Sequence, residues 1–316
     1  NKIMELKKII SKKIISFLRI FQRNMPKIII SRITIFIISI GLSYLLPVVY
    51  QDLLGFLLIL SIGVLHGAND LLIIKKYTRQ DSQKSQFSYF LYYLSLVFLG
   101  FVFFNLFPSI ALFSFILISI YHFGEQHWES NISVSDSVKE KKIYPIILHG
   151  LIFFVIIFIN NIKIVNDVLA SFNTLPLDYS ILKTLLIILI SVYILVLFIM
   201  NRAYLLGEIL FFILLYLLTL NSSLIYGFSI YFIFFHSILS IKDQVKYIYG
   251  NDNLKNIKKY IITALPYFSL AILFLVGFYW FIDLKSYNIL PIIFIFLAAI
   301  TFPHVIVIEK MYSSMK

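Results

Sequence analysis

Cysteine is absent from the 316-residue sequence. Its absence excludes disulfide bonds, thiolate metal ligands and cysteine nucleophiles, so a bound metal ion would need histidine, carboxylate or water as ligands. Charged residues are also scarce, because they make up 13% of the chain where a typical soluble domain has ~25%. Hydrophobic residues reach 60%, and the mean hydropathy is +0.94. This composition excludes an ordinary soluble globule and indicates an integral membrane protein.

Several catalytic motifs are missing as well. The sequence has no glycine-rich phosphate loop, no G-x-S-x-G element and no C-x-x-C pair. Its six histidines are dispersed, whereas membrane desaturases and hydroxylases need clusters such as H-x-x-x-H and H-x-x-H-H. The net charge of +12 does not indicate a nucleic-acid partner, because the basic residues fall in particular loops of an apolar chain.

Ten apolar stretches predict helices, because a backbone that crosses lipid must satisfy its own hydrogen bonds. The predicted fold is an all-α, polytopic transmembrane bundle of about ten spans, or eight to ten in all, since proline interrupts some stretches. Residues 33–316 are predicted to form a single integral membrane domain. The stretches cover approximately residues 33–50, 53–74, 87–107, 109–123, 144–160, 181–200, 203–220, 223–241, 260–282 and 287–308.

The distribution of basic residues predicts the orientation. Residues 1–32 hold nine lysines and arginines against one acid, Glu5, which predicts a basic amphipathic helix on an anionic membrane surface. A cleaved signal peptide is the alternative, but the segment lacks an uninterrupted apolar core followed by a small-residue cleavage site. With a cytoplasmic N-terminus, the basic residues outside the cytoplasmic segments are Lys163, Lys183 and Lys285. This asymmetry predicts a multi-pass protein of the cell inner (cytoplasmic) membrane with both termini in the cytoplasm.

The histidines share one level of this predicted layout. Five of them lie near cytoplasmic ends of predicted helices, and a sixth lies just beyond one. A neutral imidazole is a good ligand for iron, copper or zinc. Each histidine alone could equally be a packing or interfacial residue, but separate helices deliver them to one layer. The sequence therefore predicts a metal site near the cytoplasmic face, drawn from His66, His122, His127, His149, His236 and His304.

The segment H-G-A-N-D places Asp70 one helical turn after His66. Asp70 could orient an imidazole by accepting its N–H, or it could face Lys75 or water at a helix end. In the segment Y-H-F-G-E-Q-H-W, Gly124 could end the helix and turn His127 back toward the site. The alternative is that His127 is a solvated loop histidine.

Glutamates are further candidates. Glu125 and Glu129 are expected to be solvated, although Glu125 could lie beside the metal ligands. Glu208 falls inside the seventh stretch, where a buried hydrogen-bonding partner is the more common role for an acid than a catalyst.

Five short segments together resemble the Brp/Blh family of bacterial and archaeal membrane proteins, the beta-carotene 15,15'-dioxygenases. The match runs in order over most of the chain from about residue 55 onward. The segments are HGAND (66–70), similar to the family's H-G-x-x-D; YHFGEQHW (121–128), similar to H-F-G; YPIILHG (144–150), similar to P-x-x-x-H-G; FFHS (234–237), similar to F-x-H-S; and FPHVIVIE (302–309), similar to the C-terminal P-H element.

The resemblance implies a non-haem Fe(2+) dioxygenase that cleaves the central double bond of beta-carotene with O2 to give two molecules of retinal. It implies His66, His122 and His236 as iron ligands. The family's fourth histidine would stand one turn after His236, where this chain has Ser240. His127 or His304 is the candidate for the fourth position. The residues expected beside the ligands are Asp70, Glu125, Ser240 and His149.

A protein of another class would explain the same features. It would be a non-catalytic carotenoid or retinal carrier that assists assembly of a rhodopsin, or a metal-dependent transporter. Ser240 favours the carrier, whereas a transporter would need polar residues along a path through the whole membrane. The expected partners of the enzyme are beta-carotene, O2 and the lipid bilayer, with a retinal-binding rhodopsin as candidate acceptor of the product.

Overall fold

The structure of the protein, a computed structural model, describes residues 27–79, 82–129, 143–200, 202–281 and 289–315. Most of the predicted basic segment, residues 1–26, lies outside the described residues, as do residues 130–142, which follow the fourth predicted stretch.

The described chain is a bundle of α-helices, which confirms the predicted all-α class. In chain order the helices are α1 (Lys27–Leu45), α2 (Val48–Leu58), α3 (Asp70–Thr78), α4 (Gln83–Leu106), α5 (Pro108–Glu129), α6 (Ile143–Asn160), α7 (Ile162–Ser171), α8 (Tyr179–Met200), α9 (Leu205–Leu220), α10 (Leu224–Tyr231), α11 (Ile238–Tyr249), α12 (Leu254–Phe281) and α13 (Ile289–Met315). A π-turn, Ile59–Gly63, extends α2, and a second, Phe232–Ser237, joins α10 to α11.

Seven helical segments of the described chain are long and apolar enough to cross a membrane. Three shorter apolar helices, Ile30–Leu45, Val48–Gly63 and Leu205–Leu220, complete a set of ten. These ten follow the order of the ten predicted stretches. The predicted count of eight to ten spans is therefore approximate, because three of the ten are short for a full crossing.

The second predicted stretch, residues 53–74, is not one helix. It breaks at a turn over residues 66–69, and α3 begins at Asp70. Hydrogen bonds from other helices hold this turn: the side chain of Gln244 donates to the carbonyl oxygen of His66 at 2.8 Å, and the side chain of Asn69 donates to the carbonyl oxygen of Tyr260 at 2.8 Å. Within the turn, the N–H groups of Gly67 and Ala68 donate to carbonyl oxygens three residues back, and the tertiary hydrogen bonds stabilise this break in the helix.

The prediction that Gly124 ends its helix is wrong, because α5 continues through it to Glu129. Gly124 instead lets α5 and α6 touch at the backbone. A Cβ atom at Gly124 would collide with the carbonyl oxygen of Ile146, and one at Gly150 would collide with that of Ile120. Small residues allow this close approach of membrane helices, and the packing keeps α5 regular past Gly124.

The short helix α7 was not predicted. Its apolar residues Val165, Val168 and Leu169 lie on one face and are buried. This i, i+3, i+4 spacing is the sequence signal that could have revealed it.

Candidate metal centre

Four buried imidazoles converge where four parts of the bundle meet. His66 lies in the turn after α2, His122 on α5, His236 in the π-turn after α10, and His304 on α13. The ring centroids of His66 and His304 are 4.7 Å apart, and those of His122 and His236 are also 4.7 Å apart. The His66 and His236 centroids lie 5.2 Å apart and the His122 and His304 centroids 5.4 Å apart. The four rings form one cluster, at most 7% exposed.

Two π-turns help to build this cluster. His236 lies within the π-turn Phe232–Ser237, and His66 follows the π-turn Ile59–Gly63 by three residues. A π-turn inserts one residue into a helix and rotates the residues that follow, which is why such turns are frequent at functional sites. The local backbone therefore sets the direction of two of the four imidazoles.

The ring nitrogens of the cluster fit a metal ion. Both ring nitrogens of His122 and of His236, and Nε2 of His304, are buried without a hydrogen-bond partner. A buried polar group left in this way costs about 1–3 kcal/mol, so a bound cation would offset several such penalties. His66, His122 and His236 each offer one ring nitrogen, and these three nitrogen atoms lie within 4.8 Å of one another. His304 does not belong to this set of three, although its ring centroid lies 4.7 Å from that of His66.

Asp70 and Tyr93 fix the orientation of His304. The Nδ1 atom of His304 lies 2.9 Å from Oδ1 of Asp70, and the hydroxyl of Tyr93 donates to Oδ2 of Asp70 at 2.8 Å. A carboxylate that accepts the Nδ1–H leaves the Nε2 lone pair for a metal, as in carboxylate–histidine–metal arrangements. Asp70 is 2% exposed, and the imidazole that it orients is that of His304 rather than that of its neighbour His66.

Ser240 supports the turn that carries His66. Its hydroxyl oxygen accepts a hydrogen bond from Nε2 of Gln244 at 3.0 Å, and the same Gln244 nitrogen donates to the carbonyl oxygen of His66. The hydroxyl of Tyr260 lies 2.7 Å from Oε1 of Gln244 and 3.1 Å from the carbonyl oxygen of His66. Ser240 thus acts on the backbone of His66 through Gln244.

The remaining two histidines belong to a second buried cluster. Nε2 of His127 lies 2.8 Å from Oε1 of Glu208, and Nδ1 of His149 lies 3.5 Å from Oε2. The hydroxyl of Tyr193 donates to Oε2 at 2.9 Å, and the guanidinium of Arg32 approaches Oε1 at 3.8 Å. Of the two candidates for a fourth ligand, His304 is therefore the one that the structure brings to the other three.

Three groups of the second cluster, His127, His149 and Glu208, are close enough to share a metal ion. Their geometry argues against it. The two imidazole rings stack at 3.7 Å with an interplanar angle of 21°, so their in-plane lone pairs run side by side instead of meeting at one point. The carboxylate already accepts hydrogen bonds, and Arg32 balances its charge. The arrangement fits a buried, charge-neutral hydrogen-bond network.

Glu125 is not solvated, contrary to one of the two expectations for it. It is 6% exposed, and it accepts a hydrogen bond from the hydroxyl of Tyr121 at 2.9 Å. The next residue of α5, Gln126, is also buried. Its side chain and those of Asp243 and Tyr312 are joined by hydrogen bonds of 2.9–3.0 Å. These contacts tie the end of α5 to α11 and α13.

An apolar cavity borders the histidine cluster. This cavity, called cavity A below, has a volume of about 730 Å³, which is within the ~300–1,000 Å³ of small-molecule sites. Apolar side chains of α4, α12 and α13 form most of its walls, including Phe98, Phe274 and Phe296. His66 and His304 also line it. A hydrocarbon bound in cavity A would therefore contact the imidazoles.

Fold and site together define a polytopic helical membrane protein with a buried imidazole cluster at an apolar cavity. The chain belongs to the beta-carotene 15,15'-dioxygenase family, whose sequence model matches residues 57–312. This match confirms the resemblance found in the five short segments, and membership implies a carotenoid substrate. No curated protein and no solved structure matches the chain.

Sequence reasoning missed Tyr93 and Gln244, which hold Asp70 and His66. Tyr93 is one of 21 tyrosines and stands among apolar residues of α4. Gln244 offered a weak signal, because it follows Ser240 by one helical turn and lies two turns after His236.

Proposed function

We propose that the protein cleaves the central double bond of beta-carotene with O2 to give two molecules of retinal. The proposed cofactor is Fe(2+), bound by His66, His122 and His236, with His304 as fourth ligand. The observation that carries the proposal is the set of buried ring nitrogens without partners beside an apolar cavity. In the balanced reaction one carbon–carbon double bond is lost, and each half of the polyene gains one oxygen atom as an aldehyde.

Iron bound by neutral imidazoles would supply the activation of O2. Everything else in the reaction is assigned to the chain itself. Asp70 holds the Nδ1 proton of His304, so that Nε2 is directed away from the carboxylate. The apolar walls of cavity A exclude water and orient the polyene, so that its reacting bond lies against the imidazoles. The proposed cleavage needs no side-chain nucleophile.

The proposal has a direct test by removal of single imidazoles. His66→Ala and His236→Ala should lose iron and retinal formation, while the protein still inserts and folds. The assay is purified protein in detergent, loaded with Fe(2+) without oxygen, then given beta-carotene and O2. Wild-type protein should yield close to two retinal per carotene. His149→Gln is the matched control, because His149 belongs to the Glu208 cluster and its loss should leave iron content unchanged.

Two results would contradict the proposal in different ways. Normal retinal yield from either alanine variant would exclude the assigned ligands. Bound beta-carotene that stays intact in folded, iron-loaded wild-type protein would instead favour the carotenoid carrier.

The proposed setting is the inner (cytoplasmic) membrane, with residues 33–316 as one catalytic domain. The charge asymmetry of the loops supports cytoplasmic termini and a histidine cluster on the cytoplasmic side. Retinal released there could pass to a retinal-binding rhodopsin in the same membrane.

A further inference from the structure

A second apolar cavity lies along the same helix faces as cavity A. This cavity, called cavity B, has a volume of about 80 Å³, and its lining side chains are all apolar. On α2 and its π-turn, Gly63 lines cavity A and Ile59 lines cavity B. On the helix that carries His236, Phe232 lines cavity A and Phe228 lines cavity B. Residues four apart stand one above the other on a helix, so the two cavities are stacked along shared walls.

Two residues lie at the boundary of the cavities. Leu297 lines both of them, whereas Phe232 lines cavity A and packs on Phe228, which lines cavity B. The ring of Phe232 stacks on that of Phe228 at 5.4 Å and on that of His236 at 5.5 Å. It occupies the space left by Gly63, since a Cβ atom there would lie 2.6 Å from Cε1 of Phe232. The ring of Phe232 thus lines cavity A, contacts the imidazoles of His66 and His236, and is separated from cavity B by one helical turn.

Central cleavage needs room on both sides of the imidazoles. When the middle bond of a symmetric polyene lies at His66 and His304, equal lengths of hydrocarbon extend in two directions. Cavity A, at about 730 Å³, provides space for one of them, whereas cavity B, at about 80 Å³, holds only part of the other. Cavity B continues the apolar path toward α5, α6 and α7, where its lining includes Leu112, Phe154 and Val168.

We propose that cavities A and B are the two arms of one channel for a long apolar polyene, and that the ring of Phe232 moves aside to join them. Phe232 is then a positioning residue, because its movement determines how far the polyene passes the histidines. This inference rests on the proposed cleavage of beta-carotene.

The test fills cavity B far from the histidines. Leu112→Phe places a larger side chain in cavity B, ten residues before His122 on α5 and hence about 15 Å along the helix. Leu117→Phe is the matched control, because the same substitution on the same helix falls on a side chain that is 48% exposed. The full-length protein is freed of metal with a chelator and titrated with beta-carotene, and with retinal as a half-length ligand. Bound pigment is measured after gel filtration.

Leu112→Phe should weaken binding of beta-carotene by at least about tenfold, since one misfitting methylene in an apolar pocket already changes selectivity by roughly 10–200-fold. Its binding of retinal should stay at the wild-type level, because cavity A is unchanged. Leu117→Phe should bind both ligands as the wild type does. In iron-loaded Leu112→Phe, remaining cleavage should shift from retinal to two unequal aldehydes, because the central bond no longer reaches the imidazoles.

Wild-type binding of beta-carotene by folded Leu112→Phe would overturn the channel. Ile293→Phe fills cavity B from α13, carries the same expectation, and replaces Leu112→Phe if that variant does not fold. Failure of the wild type to bind either pigment would instead overturn the proposed function, so the two failures are distinguishable.

Discussion

The contact between Asp70 and His304 gives the sharpest test of the fourth ligand. Asp70→Asn keeps the shape of the side chain but removes its charge and one of the two acceptor oxygens that face Nδ1 of His304, at 2.9 and 3.0 Å. The amide nitrogen can also turn toward Nδ1, which would favour the tautomer with its proton on Nε2. That tautomer cannot bind a metal through Nε2.

Loss of a hydrogen-bond partner of this kind lowers metal affinity by about 10–100-fold, which corresponds to about 1.4–2.8 kcal/mol of binding free energy. We expect this loss in Asp70→Asn when Fe(2+) binding is measured without oxygen by competition with a coloured chelator. Tyr93→Phe is the graded comparison, because it removes the hydroxyl that donates to Asp70 and leaves the carboxylate in place. It should weaken iron binding by less than Asp70→Asn does.

Iron affinity equal to that of the wild type in folded Asp70→Asn would refute the reasoning. The carboxylate would then be a packing partner of His304, and the iron would have to be held by three histidines alone.

Two further predictions concern packing and topology. Gly124→Ala should lower the thermal unfolding temperature in detergent, because its Cβ atom collides with the carbonyl of Ile146 and overpacking of this kind costs about 1–3 kcal/mol. Single cysteines in this cysteine-free chain should show the orientation: Asn251→Cys, between α11 and α12, should react with an impermeant thiol reagent from the cytoplasmic side. Asn173→Cys, after α7, should react from the opposite side.

Each of these predictions has a built-in control. Gly41→Ala makes the same substitution inside α1, where a Cβ atom would meet nothing within 4 Å, so its stability should not fall. Equal stability of the Gly124 and Gly41 variants would contradict the tight packing of α5 on α6. Labelling of positions 173 and 251 from the same side would contradict the proposed topology.

Hydropathy predicted the helices well, because lipid requires every backbone hydrogen bond to be satisfied inside a segment. It failed at residues 66–69, where the side chains of Gln244 and Tyr260 bind the carbonyl oxygen of His66 and stabilise a turn. A pattern read along one stretch contains no information on Gln244, 178 residues further on. It also failed at α7, whose apolar face is too short to be read as a span.

Both interpretations of His127 were wrong: it is not a solvated loop residue, because it is 1% exposed on α5, and it does not return to the first cluster, for a geometric reason. Successive residues on an α-helix are about 100° apart, so positions five apart differ by about 140° around the axis. On the unbroken helix α5, His122 and His127 therefore face different sides. The sequence interpretation bent the helix at Gly124 to bring them together. The regular geometry instead directs His127 to Glu208, and the sequence analysis did not predict this contact.

The proposal of His304 as the fourth imidazole has to account for the serine at position 240. The family pattern expects a histidine there, one turn after His236, but Ser240 is fully buried and accepts a hydrogen bond from Gln244. Its small side chain leaves Gln244 room to hold the carbonyl of His66, which a larger ring at this position would displace. In the proposed site, His304 supplies the missing imidazole from α13, and its partner Asp70 begins the helix after the His66 turn. With His304 as the fourth ligand, the proposed site keeps four imidazoles although position 240 is a serine, and Ser240 supports the backbone of His66 through Gln244.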